Sequence, residues 1–377
     1  MDTCIKLIKP HVYDILAYAD DLLIIWQATS RKGIEDTGRT VSALLDEWCE
    51  ENKMTVAPAK SAVMVFARPG RPGLQRHPII KIAGKTVPVV KETVYLGVTL
   101  DNQLYFRTHL IRQSQKARRA IDKVARLAMR EFSLNTQGRR TLYKGVFEGI
   151  LLYACSVWTH RLINSTYRKH IQRAQRHALC RLFGAYSDTS LEALSLIIAE
   201  PPIHLTAVFR AANYFVTKGK PLEADSLIAG FSTMDKYQRR DTLYDQWDRW
   251  LQSSDKGRAA KAIFSNIRKR LMCNWVDPTS DTIRILSGHG PFGTYLHDRT
   301  LSQHPNFPTD GLRDYPNHAV FDCFDVPDAV CDVRKRVESR SLPEAVRSKS
   351  DWLVLSGAFR PLIGCREVAS LCLRQTQ

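Results

Sequence analysis

Residues Ala17 to Ile25 read AYADDLLII, two adjacent carboxylates, Asp20 and Asp21, pressed on both sides by apolar residues. A carboxylate in an apolar stretch is costly unless water, a partner or a metal attends it. Neighbouring carboxylates on a rigid turn offer hard oxygen ligands to divalent magnesium. Two such ions, held a few ångströms apart, activate an attacking hydroxyl and stabilise a leaving oxygen in phosphoryl or nucleotidyl transfer. The other reading is a solvated Asp pair that simply suits a turn.

Strands are the elements that would hold such a pair. Val12 to Tyr18 and Leu22 to Trp26 are rich in strand-favouring residues, which predicts a hairpin with Asp20 and Asp21 at or beside its turn. Ile34, Val41, Leu44, Leu45 and Trp48 recur at helical spacing and predict an amphipathic helix from about residue 32 to 51. NKMTVAPAKSAVMVFARPG reads as strand, Pro58 turn and strand, ending at Pro69 and Gly70. A hairpin around Gly84 follows at 79 to 90, and a further strand at 93 to 101. The first hundred residues are therefore α+β.

From 108 to about 220 helical periodicity takes over. Arg112, Lys116, Arg119, Lys123, Arg126 and Arg130 fall in steps of four and three along one helix face, with Ala117, Ile121, Val124 and Ala128 roughly opposite. A second helix, near 166 to 183, carries Arg168, Lys169, Arg173, Arg176 and Arg181. One such face alone is as readily a solvated one; two in succession favour a surface that tracks phosphates without reading sequence.

Composition agrees. The 377-residue chain carries a formal net charge of +17, and residues 101–200 hold 17 Lys/Arg against 7 Asp/Glu, so over half the excess sits in about a quarter of the length. Such a local bias points to a polyanion partner, above all nucleic acid. No membrane span is expected, because the longest apolar run, VFEGILLYACSVW, carries Glu148. Nine scattered cysteines without a close CxxC pair suit free thiols, and the N-terminal residues do not resemble a secretory signal; the expected location is the nucleus or cytoplasm. QWDRW at 246 to 250 reads as a packing anchor more than a base-stacking platform, and the last 90 residues, richer in Pro, Gly, His and Cys, as a loop-rich unit.

Taken in order, Tyr18-Ala19-Asp20-Asp21, Pro58-Ala59-Lys60-Ser61 and Tyr95-Leu96-Gly97-Val98 resemble the second half of a reverse transcriptase palm. The flavour is that of non-LTR, LINE-like retrotransposons, whose YLGV segment leads into an aromatic and a His, here Tyr105, Phe106 and His109. LLYACSVW at 151 to 158, RKHIQRAQRHALCRLFGAYSDTSLEAL at 168 to 194, AEPPIHL at 199 to 205, QWDRW with KGR at 256 to 258, and LSGHGPFGTYLH at 286 to 297 extend the likeness toward elements inserted in insect ribosomal RNA genes.

That resemblance implies an RNA-directed DNA polymerase working on an RNA template, a DNA primer or target, and deoxynucleotides. Asp20 and Asp21 would be magnesium ligands and Lys60 a general acid toward departing pyrophosphate. Tyr18, Tyr95 and Gly97 would lie on nucleic acid, as would Arg112, Lys116, Arg119, Lys123, Arg126, Arg130, Lys169, Arg173 and Arg176. Gly97 reads as allowing close approach of backbone to nucleic acid or to a neighbouring strand. The implied division is a partial palm over 1–105, a helical thumb over 106–217, a connecting helical region over 218–285 and a tail over 286–377. The family also implies a third carboxylate on an earlier strand, ahead of YADD, and Asp14 is too close in sequence to supply it. The expectation is a fragment or 5′-truncated copy, inactive by itself; the alternative is a non-catalytic nucleic-acid-binding remnant or pseudogene product. In the tail the resemblance implies two cysteines two apart, then a His and a Cys, a spacing that closes a zinc site. His318 and Cys323 keep the second pair, while His304 and Phe307 stand near the places of the first and Phe cannot ligate. A remnant with an ordinary surface His and a buried Cys is expected there, rather than bound zinc.

Overall fold

The computed structural model describes residues 2–66, 74–130, 134–220, 229–231 and 233–375. They form two units, Met1–His109 and Leu110–Gln377.

The first unit is α+β and is built around one helix. After α1 (Asp2–Ile8), β1 (Asp14–Tyr18) and β2 (Asp21–Ile25) pair antiparallel. Ser30 then caps α2 (Arg31–Glu51) by accepting from the Gly33 N–H at 3.1 Å. Val41, Leu45, Trp48 and Cys49 of α2 are buried with Ile15 of β1 and Cys4 and Ile8 of α1, and the Trp48 indole N–H donates to Thr3 at 2.8 Å. The helix agrees with its periodicity, with Ile34 and Leu44 at the margin of the stripe. Two more hairpins follow, β3 (Ile80–Ile82) with β4 (Lys85–Val87), and β5 (Glu92–Tyr95) with β6 (Val98–Asp101).

Two expectations fail here. Neither strand expected around Pro58 forms among the described residues: 52–57 is turn and irregular chain, and 61–66 holds only a parallel bridge from Val63 to Val89, with Ala67 to Gly70 lying outside them. Segment 93–101 is a hairpin rather than one strand, because Leu96 (φ +46) and Gly97 (φ +78) reverse it in two residues.

The second unit is helical. In α3 (Arg107–Arg130) the buried stripe is Leu110, Ser114, Ala117, Ile121 and Ala125, one residue past the expected Val124, which is half-buried; the side chain of Ala128 lies outside the described residues. The helices Ser165–Phe183, Leu191–Ile198 and Ile203–Thr217 supply much of the core, including Leu179, Phe183, Leu194 and Ala211. Trp247 is buried and donates to Ser195 at 3.4 Å, so QWDRW is a packing anchor. The terminal segment is less loop-rich than expected, with helices Asp328–Arg336, Leu342–Arg347, Lys349–Ser356 and Phe359–Gln375. No single helix among the described residues is long and apolar enough to cross a membrane. No disulfide joins the described cysteines.

Candidate active site and nucleic-acid interface

The period-two alternation of a strand places the carboxylates. Tyr18 pairs directly with Asp21, leaving Ala19 and Asp20 as a two-residue turn in which Ala19 takes the left-handed φ of +51°. Ile15 and Ile24, and Ala17 and Leu22, share the face turned to α1 and α2. Tyr18 and Asp21 stand side by side on the other face, with Tyr18 65% exposed. Both Asp20 and Asp21 are exposed, and neither carboxylate has a hydrogen-bond or ion-pair partner among the described residues. Two adjacent, unpartnered carboxylates on a turn backed by a packed face form a hard-oxygen donor set that suits magnesium. Asp14 is different. Lys9 and the Ile15 N–H bond its carboxylate and hold it below the usual range, and it lies four residues from Tyr18, about 13 Å along the strand.

Lys60 closes the turn Pro58–Lys60, which packs beside β4, and its side chain is exposed. No hydrogen bond or ion pair joins Lys60 to Asp20 or Asp21 among the described residues. Tyr95 is half-buried opposite Val98, and Gly97 takes the left-handed φ of +78° in the turn between them. The residues after this hairpin clamp it. Asp101 accepts from the N–H groups of Gln103, Tyr105 and Phe106 at 3.1, 3.0 and 2.7 Å. The buried His109 ring accepts from the Thr99 N–H at 3.2 Å through Nδ1, and burial pushes its imidazole down, which keeps that acceptor available. The aromatic and His that follow YLGV are thus structural.

In the second unit Arg112, Lys116, Arg119 and Lys123 line one open groove with Gln115, Ala120 and Ile150. Arg126 lies further along the helix with its Nε on the Asp122 carbonyl, and the side chain of Arg130 lies outside the described residues. On Ser165–Phe183, Lys169 and Arg173 are exposed, whereas Arg176 donates to the Ser187 carbonyl at 2.6 Å. Asp122 ties the two basic helices, accepting from His177 at 2.9 Å and pairing with Arg181 at 3.3 Å. Beneath them Glu148 is buried against Arg210, and desolvation pushes its carboxyl up to about 7.

The tail joins residues that sequence separates. A bridge from Asn306 to Arg313 closes a turn holding Phe307 and Asp310. The Asp310 carboxylate lies 3.0 Å from His318 Nε2, and ligand atoms of Asp310, His318 and Cys323 all lie within 4.8 Å of one another. Of the residues near that turn it is thus Asp310 that faces His318 and Cys323, while Phe307 lies under Arg366 and His304 is exposed. His318 is buried rather than on the surface, as is Cys323. Asp310 escaped notice because an Asp in a turn carries no metal signal of its own.

Comparison with known proteins finds similarity to proteins of transposable elements. The chain is 26% identical over 309 residues to the 115 kDa protein of the type-1 retrotransposable element R1DM of Drosophila melanogaster, a match covering 80% of this chain and 30% of that protein. It is 24% identical over 325 residues to a Pol polyprotein of type-1 retrotransposable element R1 4 of Nasonia vitripennis, covering 81% and 82%. The RNA-directed DNA polymerase from mobile element jockey of Drosophila funebris is 26% identical over 151 residues, 39% of this chain and 16% of that protein. The chain thus spans about a third of the R1DM protein it matches. No family model matches, and no solved structure matches.

Proposed function

We propose, from the premise that this chain is a non-LTR retrotransposon pol protein, that it carries the metal-binding hairpin and the nucleic-acid-tracking helices of an RNA-directed DNA polymerase. The observation that carries the reading is the exposed, unpartnered Asp20–Asp21 pair on a turn whose other face is packed. Asp20 and Asp21 would hold magnesium, which supplies charge neutralisation for nucleotidyl transfer when bound. Tyr18, beside Asp21 on the open face, would support the primer end. Lys60 would hold a proton for the departing pyrophosphate. The groove of Arg112, Lys116, Arg119 and Lys123 would follow the phosphates of template and primer, with Lys169 and Arg173 as further contacts.

The open edges of β1 and β2 and the exposed Leu16 and Tyr18 suit a further strand, where the third carboxylate of such a site would stand. Asp20 and Asp21 would be two of the three carboxylates of such a site. The second reading, a non-catalytic nucleic-acid-binding remnant, draws on the basic groove, which needs no metal.

Primer extension on an RNA template separates the two, run on this chain and on one extended upstream with the family's missing palm segment. Extension by the longer chain, abolished by Asp20→Asn or Asp21→Asn, is the expected result. Retained nucleic-acid binding without extension in the longer chain favours the second reading.

A further inference from the structure

Zinc is what the resemblance implies for the segment holding His318 and Cys323, and the surrounding side chains disagree with it. Phe307, in one of the two positions two apart, offers no donor. Its ring is covered instead by the Arg366 guanidinium, 3.8 Å from the ring centroid. Arg366 reaches in from the helix Phe359–Gln375, is 2% exposed, and pairs with the buried Asp314 at 2.5 Å. Asp314 in turn lies 3.4 Å from His318 Nδ1, while His318 Nε2 faces Asp310 at 3.0 Å. His318 thus faces a carboxylate at each ring nitrogen, and Asp310, His318 and Cys323 offer three donors where structural zinc takes four. A second arginine, Arg334, donates to the carbonyls of Ala319, Val320 and Cys323, closing off the backbone around the π-helical turn His318–Asp322.

The same array explains the GPFG segment at 290–293. A Cβ on Gly293 would stand 2.7 Å from the Pro305 carbonyl oxygen, and the Gly293 N–H donates to Asp314 at 2.7 Å. Glycine here lets the turn of Phe307 and Asp310 dock on the preceding helix and fixes the carboxylate that receives Arg366.

We propose that the 306–323 segment is a metal-independent knuckle in which Arg366, seated on Phe307 and paired with Asp314, supplies the central cation that zinc would otherwise supply. A buried guanidinium set against a ring and a carboxylate ties the terminal helix to Phe307 and Asp314, and Asp314 reaches the π-turn through His318. The segment then keeps its fold at any zinc concentration.

The test uses the full chain. Purified from zinc-supplemented cells, it is expected to carry far less than about one zinc per chain, and a chelator is expected to leave its melting temperature unchanged. Close to one zinc per chain, with a chelator-induced drop in melting temperature, overturns the proposal. Arg366→Met keeps the packing on Phe307 and removes the charge, and is expected to lower the melting temperature on the order of 10 °C. A melting temperature equal to the parent's also overturns it. Should that variant not fold, the zinc content of the parent decides. The triple variant Phe307→Cys, Asp310→Cys and Arg366→Met is expected to gain about one zinc per chain and chelator sensitivity. Failure to gain zinc overturns the placement of the metal positions on this turn.

Discussion

Neutralising the basic groove gives the sharpest check on nucleic-acid binding. Arg112, Lys116, Arg119 and Lys123 line it together and span twelve residues of α3, about 16 Å from first to last at 1.5 Å per residue. That length matches several successive phosphates of a strand. Each phosphate neutralised adds about 0.7 to 0.9 to the slope of log K against log salt, so changing all four to Gln should flatten the slope by about 3. At about 0.1 M salt the same change weakens binding roughly 10³-fold, or about 4 kcal/mol, if each side chain meets one phosphate. The assay is fluorescence anisotropy of a labelled RNA–DNA template-primer across a salt series, with circular dichroism confirming that the variant keeps its helices. Lys335 and Arg336, exposed on another helix, serve as the control, and their change to Gln should leave the slope nearly as it was. A quadruple variant that folds and keeps the parent's slope refutes the assignment of this groove to phosphate.

Three further outcomes test the surrounding structure. Burial pushes the His204 imidazole down to about 3, so the unfolded chain takes up its proton below the ordinary 6.5 while the folded chain does not. The resulting stability is fully present above pH 6.5 and falls by about 1.4 kcal/mol per unit as pH drops toward 3. Urea midpoints of the parent and His204→Gln between about pH 7 and 4 should diverge in slope, and parallel curves would contradict the assignment. Glu148, already raised to about 7, can escape the loss of Arg210 by staying protonated. Arg210→Met should therefore cost little near pH 6 and about 1.4 kcal/mol more per unit above pH 7, seen in the same titrations; a pH-independent cost would count against it. Asp101→Ala strips three backbone N–H groups of their acceptor and should cost about 2–3 kcal/mol in urea unfolding, whereas an exposed turn Asp would cost under about 0.5 kcal/mol.

What the sequence determined by itself is local. Alternation with period two and a two-residue turn suffice to put Asp20 at a hairpin tip and Asp21 beside Tyr18, because strand register is set within ten residues. Periodicity of 3.6 likewise aligned the cations of α3 before any packing was known. It failed by one residue on the buried stripe, where Ala125 and not Val124 faces inward, since the neighbouring helices choose how far the stripe is rotated. What only the tertiary structure decided involves partners that no strand or helix period links. Asp122 receives His177 and Arg181, Arg366 settles on Phe307, and Asp310 meets His318 across a turn. No spacing rule reaches these contacts, because a buried charge finds whichever opposite charge the packed chain brings within a few ångströms.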